Sequence, residues 1–100
     1  NAGFRAYAAN DKRSAFAAWR DVAGRGNPEA QLRVGLLFET GEGVGQDMIE
    51  AYRWLKLAAT QGQPQAVEAL RHVSAALAPA ERAIAESLAK ESNANTKNAP

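Results

Sequence analysis

The chain has no cysteine. That excludes a disulfide framework, thiolate-ligated zinc or iron–sulfur centres, and a thiol nucleophile. There is a single histidine, His72, so no set of histidines can converge on a metal. No apolar run approaches the ~18 residues of a membrane-spanning helix, and direct membrane insertion is not expected. Charge of one sign is lacking too: 12 basic residues face 11 acidic ones, for a net +1. Such a balance supplies no field to gather nucleic acid or an anionic bilayer. Strand-type alternation is absent throughout. The chain begins at Asn1 rather than Met, as a processed chain or a fragment does, and no signal peptide is legible.

What the chain does have is alanine, and a 46% hydrophobic composition ordinary for a folded domain. Alanine favours helix and lets helices approach closely. One hundred residues make one domain, burying roughly 60–70% of the surface its unfolded form exposes.

Asp11, Ala15, Ala23, Gly26, Pro28 and Ala30 each recur 36 positions later, as Asp47, Ala51, Ala59, Gly62, Pro64 and Ala66. Phe16 matches Tyr52 in kind, and Arg20 matches Lys56. A fixed period of this size in a helical pattern is the mark of stacked helix pairs. The punctuation agrees. At Gly26-Asn27-Pro28 and Gly62-Gln63-Pro64, Gly closes one helix in the left-handed region and Pro opens the next at its first position. Between them Asn27 serves as an N-cap. Corners this short force antiparallel neighbours.

Between corners the apolar spacing is helical. Ala15, Phe16, Trp19, Val22 and Ala23 mark one helix, with Asp11 as N-cap. Asp47 and Glu50 have the spacing of a capping box ahead of Ala51, Trp54, Leu55, Ala58 and Ala59. Ala66, Ala69, Leu70, Val73, Ala76 and Leu77 mark another. Pro79 ends it and starts a last helix with Ala80, Ala83, Ile84 and Leu88. Six helices are predicted, over 3–9, 12–25, 28–40, 48–61, 64–77 and 80–91. The polar, aperiodic stretch 93–100 reads as a disordered tail.

Ala30, Val34-Gly35, Phe38, Gly41-Glu42-Gly43-Val44, Asp47, Ala51, Tyr52, Trp54, Ala58-Ala59 and Gly62 together resemble the Sel1-like repeat, a relative of the tetratricopeptide repeat with a longer loop between its helices. Val34 stands where Leu is usual, Phe38 where Tyr is usual, and Gly45 where Pro is frequent. The resemblance covers one complete unit. Asp11–Gly26 looks like the second half of a shortened preceding unit. After Gln63 the signature decays, because Arg71 takes the position of Gly35 and blocks the close approach a glycine allows. The helix from Pro79 onward then reads as a C-terminal cap. The expected fold is all-α: an α-α superhelix, a short right-handed solenoid of antiparallel helix pairs in a single domain over 1–92.

Chemical motifs do not rise above structural roles. Gly41-Glu-Gly-Val-Gly45 superficially resembles a phosphate loop, but a helix precedes it and no Gly-Lys-Ser/Thr follows. Its glycines instead supply positive φ to a helix-to-helix loop. His72 and Glu68 lie one turn apart and read as a solvated pair. Glu39, Glu42, Glu81 and Glu86 lack the apolar surroundings that raise a carboxyl pKa. Trp19 and Trp54 read as core. No enzyme activity and no cofactor are expected.

The helix at 28–40 is apolar on two sides. Ala30, Val34 and Phe38 face the core, while Leu32 and Leu36 form a second row. In related helical repeats the first helix of each pair lines a concave surface. The resemblance therefore implies a groove of Glu29, Leu32, Leu36, Glu39, Glu68 and His72 that holds a protein or peptide. The alternative is that the short N-terminal helix covers Leu32 and Leu36. The function implied is a non-catalytic adaptor or regulatory module, expected to be monomeric. A small-ligand or cell-envelope sensor and a structural spacer of a longer protein are the competing readings. Likeness to small bacterial members implies a periplasmic or secreted setting, with the cytoplasm as the alternative.

Overall fold

The computed structural model describes residues 2–98 and contains six helices: α1 (Ala2–Ala8), α2 (Lys12–Gly24), α3 (Pro28–Thr40), α4 (Met48–Thr60), α5 (Pro64–Ala76) and α6 (Pro79–Asn98). The starts of α2 to α5 each have a side-chain cap. Asp11 Oδ1 accepts from the Ser14 amide at 3.1 Å, and Asn27 Oδ1 from the Ala30 amide at 2.9 Å. Gln63 takes the same role for the Ala66 amide at 3.0 Å. Pro28 and Pro64 occupy first-turn positions, and Gly26 and Gly62 lie at φ 100° and 86°. The repeated corners of the sequence are thus repeated helix–turn–helix corners in space.

Two expectations about these elements need correction. The capping box at Asp47 is half-formed. Asp47 Oδ1 caps the amides of Ile49 and Glu50 at 3.1 Å each, but its own amide donates to the Phe38 carbonyl at 3.0 Å. The loop's return onto α3 has taken that donor, and Glu50 instead accepts both of its bonds from Arg53 Nη1, at 3.1 and 2.9 Å. Second, the stretch read as a tail at 93–100 is helical through Asn98, and residues 99 and 100 lie outside the described residues. No Gly or Pro interrupts it before Pro100, so the backbone has no breaker to stop at.

The helices pack in two layers. α1, α3 and α5 form one, and α2, α4 and α6 the other, with each helix also packed on its chain neighbours up to α5. α6 turns back after Leu77 and lies against α4. Among the described residues no strand occurs. This is an all-α helical repeat superhelix.

α3 and α4 sit between two apolar clusters. On one side Ala30, Val34, Leu37, Trp54 and Leu57 meet Ala15, Trp19 and Ala23 of α2. On the other, Leu32, Ala51, Tyr52, Leu55 and Ala58 meet Ala66 and Val73 of α5, then Leu77, Ala85 and Ala89. The two central helices can share so much surface because they approach closely at Gly35. A Cβ there would stand 2.7 Å from Leu55 Cγ and 3.3 Å from its amide nitrogen. Gly43 performs a second close approach. It holds φ 75° in the α3–α4 loop, and a Cβ there would run into the Lys12 carbonyl at the start of α2. The glycine loop therefore anchors the central hairpin to its neighbour. Gly41 also has positive φ, whereas Gly45 does not and faces open space. Arg71, at the position equivalent to Gly35, is exposed and pairs with Glu68 at 3.9 Å.

Three outcomes follow from this packing. Gly35→Ala drives a methyl into the buried Leu55, and urea denaturation should show a loss of about 1–3 kcal/mol despite alanine's better helix propensity. Trp54→Ala empties a buried site and should cost roughly 3–5 kcal/mol, read as a lowered melting midpoint. Burial, and then the negative charge of the nearby Glu86 carboxylate, push Tyr52 above the ordinary tyrosine value of 10.0. The neutral phenol is favoured by the fold, so its contribution is intact below pH 10.0 and lost as pH rises toward the folded value. Between about pH 9 and about pH 11 the melting temperature should fall less for Tyr52→Phe than for the parent chain.

Candidate functional site

α1 has only seven residues, too few for a stable helix of its own, and it is held by aromatic packing. Gly3 lies flat against the Trp19 indole. The Phe4 and Tyr7 rings pack on Trp19 with centroids 5.3 and 5.7 Å away. Both side chains remain partly exposed, at 42% and 40%. Such exposure is unusual for aromatic residues already engaged with a core indole. Two cations cover part of it: Lys12 Nζ stands 3.2 Å from the Tyr7 centroid, and Arg33 Cζ stands 5.1 Å from that of Phe4.

Because α1 is short, a cleft of about 210 Å³ opens between it and α3. Tyr7, Trp19, Leu36 and Leu37 supply its apolar walls, and Arg33, Thr40 and Glu42 its polar ones. The polar groups are tied in place. Arg33 Nη2 pairs with Glu29 Oε1 at 3.0 Å, and Thr40 Oγ1 donates to Glu42 Oε1 at 3.2 Å. Lys12 Nζ is 3.9 Å from Glu42 Oε2, linking the glycine loop to α2.

The groove expected from sequence is only partly assembled here. Leu32 is 1% exposed and belongs to the core shared with α4, α5 and α6. It is covered neither by a partner nor by α1. Helix α5, packed on α4 and touching α3, closes over it. Leu36 is half-buried in the cleft wall. Glu29 is half-buried and engaged, accepting from Arg33 and from Gln63 Nε2 at 3.0 Å. Glu39 is half-buried on α3, while its backbone carbonyl accepts from Gln46 Nε2 at 2.8 Å. Glu68 and His72 are exposed on α5, with His72 Nε2 3.5 Å from Glu68 Oε1. Neither lines the cleft at Leu36. Sequence reasoning missed Phe4, Tyr7 and Arg33 as a surface. The signal was present as two aromatics three residues apart on a helix too short to bury both.

A second cleft, of about 290 Å³, lies between α4 and α6, lined by Tyr52, Lys56, Leu57, Thr60, Glu86, Ala89 and Lys90. A third, of about 180 Å³, lies among Arg20, Ala23, Gly24, Arg53, Trp54, Leu57 and Ser92. No group of three or more potential metal-ligating side chains occurs among the described residues. No helix there is long and apolar enough to cross a membrane. Among the described residues His72 has one carboxylate neighbour, Glu68.

A family model described as Sel1 repeat matches residues 28–63. No curated protein and no solved structure matches the chain. The matched stretch begins at the first residue of α3 and runs through α4 to the corner at Gln63. It therefore coincides with the central hairpin, including the Gly35 approach and the docked glycine loop. Sel1 repeats generally mediate protein–protein interaction and are typically non-catalytic. The likeness to the Sel1 repeat thus covers residues 28–63, the hairpin that packs on α2 on one side and on α5 and α6 on the other.

Proposed function

We propose that the protein is a non-catalytic adaptor or regulatory module that takes a partner helix or peptide along the α1–α3–α5 layer. The anchor is the cleft between α1 and α3. The observation that carries this reading is the cleft itself, with apolar walls of Tyr7, Trp19, Leu36 and Leu37 and polar Arg33 and Glu42 at its edge. An apolar side chain of the partner fills the cleft, and Arg33 and Glu42 at its edge orient the partner's polar groups. Glu68 and His72 extend the same layer toward α5 as a polar rim. Leu32 takes no part in binding because the fold itself consumes it.

A photo-crosslinking side chain at Thr40, in the cleft wall, should capture the partner in the native cell, whereas one at exposed Ser87 on α6 should not. Leu36→Lys should abolish the Thr40 capture by placing a charge in the cleft, with the helical circular-dichroism signal retained. Equal capture from both positions, or capture that survives Leu36→Lys, would place the interaction elsewhere.

A further inference from the structure

We propose that the third cleft, among α2, α4 and the Ser92 turn of α6, binds a phosphate-type oxyanion between the guanidinium groups of Arg20 and Arg53. Both arginines pack on one ring: Arg20 Cζ is 4.9 Å and Arg53 Cζ 5.2 Å from the Trp54 centroid. Trp54 is buried and makes a fixed wall. Stacking occupies the flat side of a guanidinium and leaves its N–H edge for a ligand. Both side chains line the same cleft of about 180 Å³, room for a group of a few heavy atoms.

The charges around this ring do not balance. Arg53 is held by Glu50, through two bonds from Nη1, and its Nε donates to Ser92 Oγ at 2.8 Å. Those bonds fix its plane and leave Nη2 uncommitted. Arg20 makes no ion pair among the described residues. The adjacent acid, Asp21, is taken by Arg25 at 3.1 Å. Two cations therefore share one carboxylate on one indole. Like charges held close repel, and a bound anion offsets that repulsion. The donor inventory selects the class of anion. The five N–H groups of Arg20 and the free Nη2 of Arg53 outnumber what the two oxygens of a carboxylate can use, whereas a tetrahedral oxyanion has oxygens for both forks. The site is on the opposite layer from the α1–α3 cleft, so it does not depend on the interaction proposed there.

The chain's two tryptophans give the test an internal control, since both indole N–H groups are buried without an acceptor. In nitrogen-15 correlation spectra at fixed ionic strength, inorganic phosphate should shift the Trp54 indole signal saturably and leave that of Trp19 in place. Arg20→Gln, an exposed position, should keep the fold and weaken binding by about tenfold or more. Glycerol phosphate run in parallel separates the sources: tighter binding than inorganic phosphate identifies a phosphate ester, weaker binding the free ion. An indole signal that ignores phosphate, that moves as readily with acetate, or that moves equally in Arg20→Gln would overturn the assignment.

Discussion

The contact between Gly35 of α3 and Leu55 of α4 governs the rest of this molecule. A helix pair of thirteen residues each has too little surface to form a core by itself. By bringing two backbones together at one point, Gly35 turns the α3–α4 pair into a single slab with two apolar sides. α2 covers one side and α5 with α6 covers the other. Without that approach, Leu55 would separate the helices and the two clusters would lose their common wall. The position equivalent to Gly35 in the next unit carries Arg71, and that side chain stays in solvent.

The outermost described helices, α1 and α6, pack by different means. At the N-terminal end, α1 is too short to cover α3, so it seats on Trp19 and leaves a cleft beside Leu36. At the C-terminal end, α6 folds back on α4, with Arg82 donating to the carbonyls of Ser74 and Leu77 that end α5. Those bonds satisfy acceptors a helix terminus would otherwise leave open. α6 also carries Glu81, Glu86 and Lys90, all exposed, the last two at the edge of the α4–α6 cleft. The aromatic surface at α1 and the polar surface at α6 differ in character, and the partner surface proposed above is the aromatic one.

Arginine links helices within each layer. Arg33 joins α3 to α1 through the Phe4 ring, and Arg53 joins α4 to α6 through Ser92. Arg20 joins α2 to α4 through Trp54. Arg33 and Arg53 each use a planar cation to bridge an aromatic surface and a polar one, which a lysine cannot reproduce. The release of Glu50 from its capping role belongs to the same scheme, because it frees a carboxylate to hold Arg53 beside Trp54.

Local chemistry determined the helices. Prolines at first turns, glycines with positive φ, the side-chain caps Asp11, Asn27 and Asp47, and the 36-residue recurrence all act within a few residues of the backbone they shape, so they are legible without the fold. The close approach at Gly35 was legible as well, since only a missing side chain permits it. The tertiary structure decided which apolar row stayed open. Leu32 and Leu36 stand one turn apart on the same helix with equal hydrophobicity, yet α5 seals the first and the shortness of α1 exposes the second. The gathering of Arg20, Arg53 and Trp54 was decided there too, because it depends on α2 and α4 meeting across many residues of chain. Caps and turns are set by neighbours in sequence, whereas burial and charge balance are set by neighbours in space.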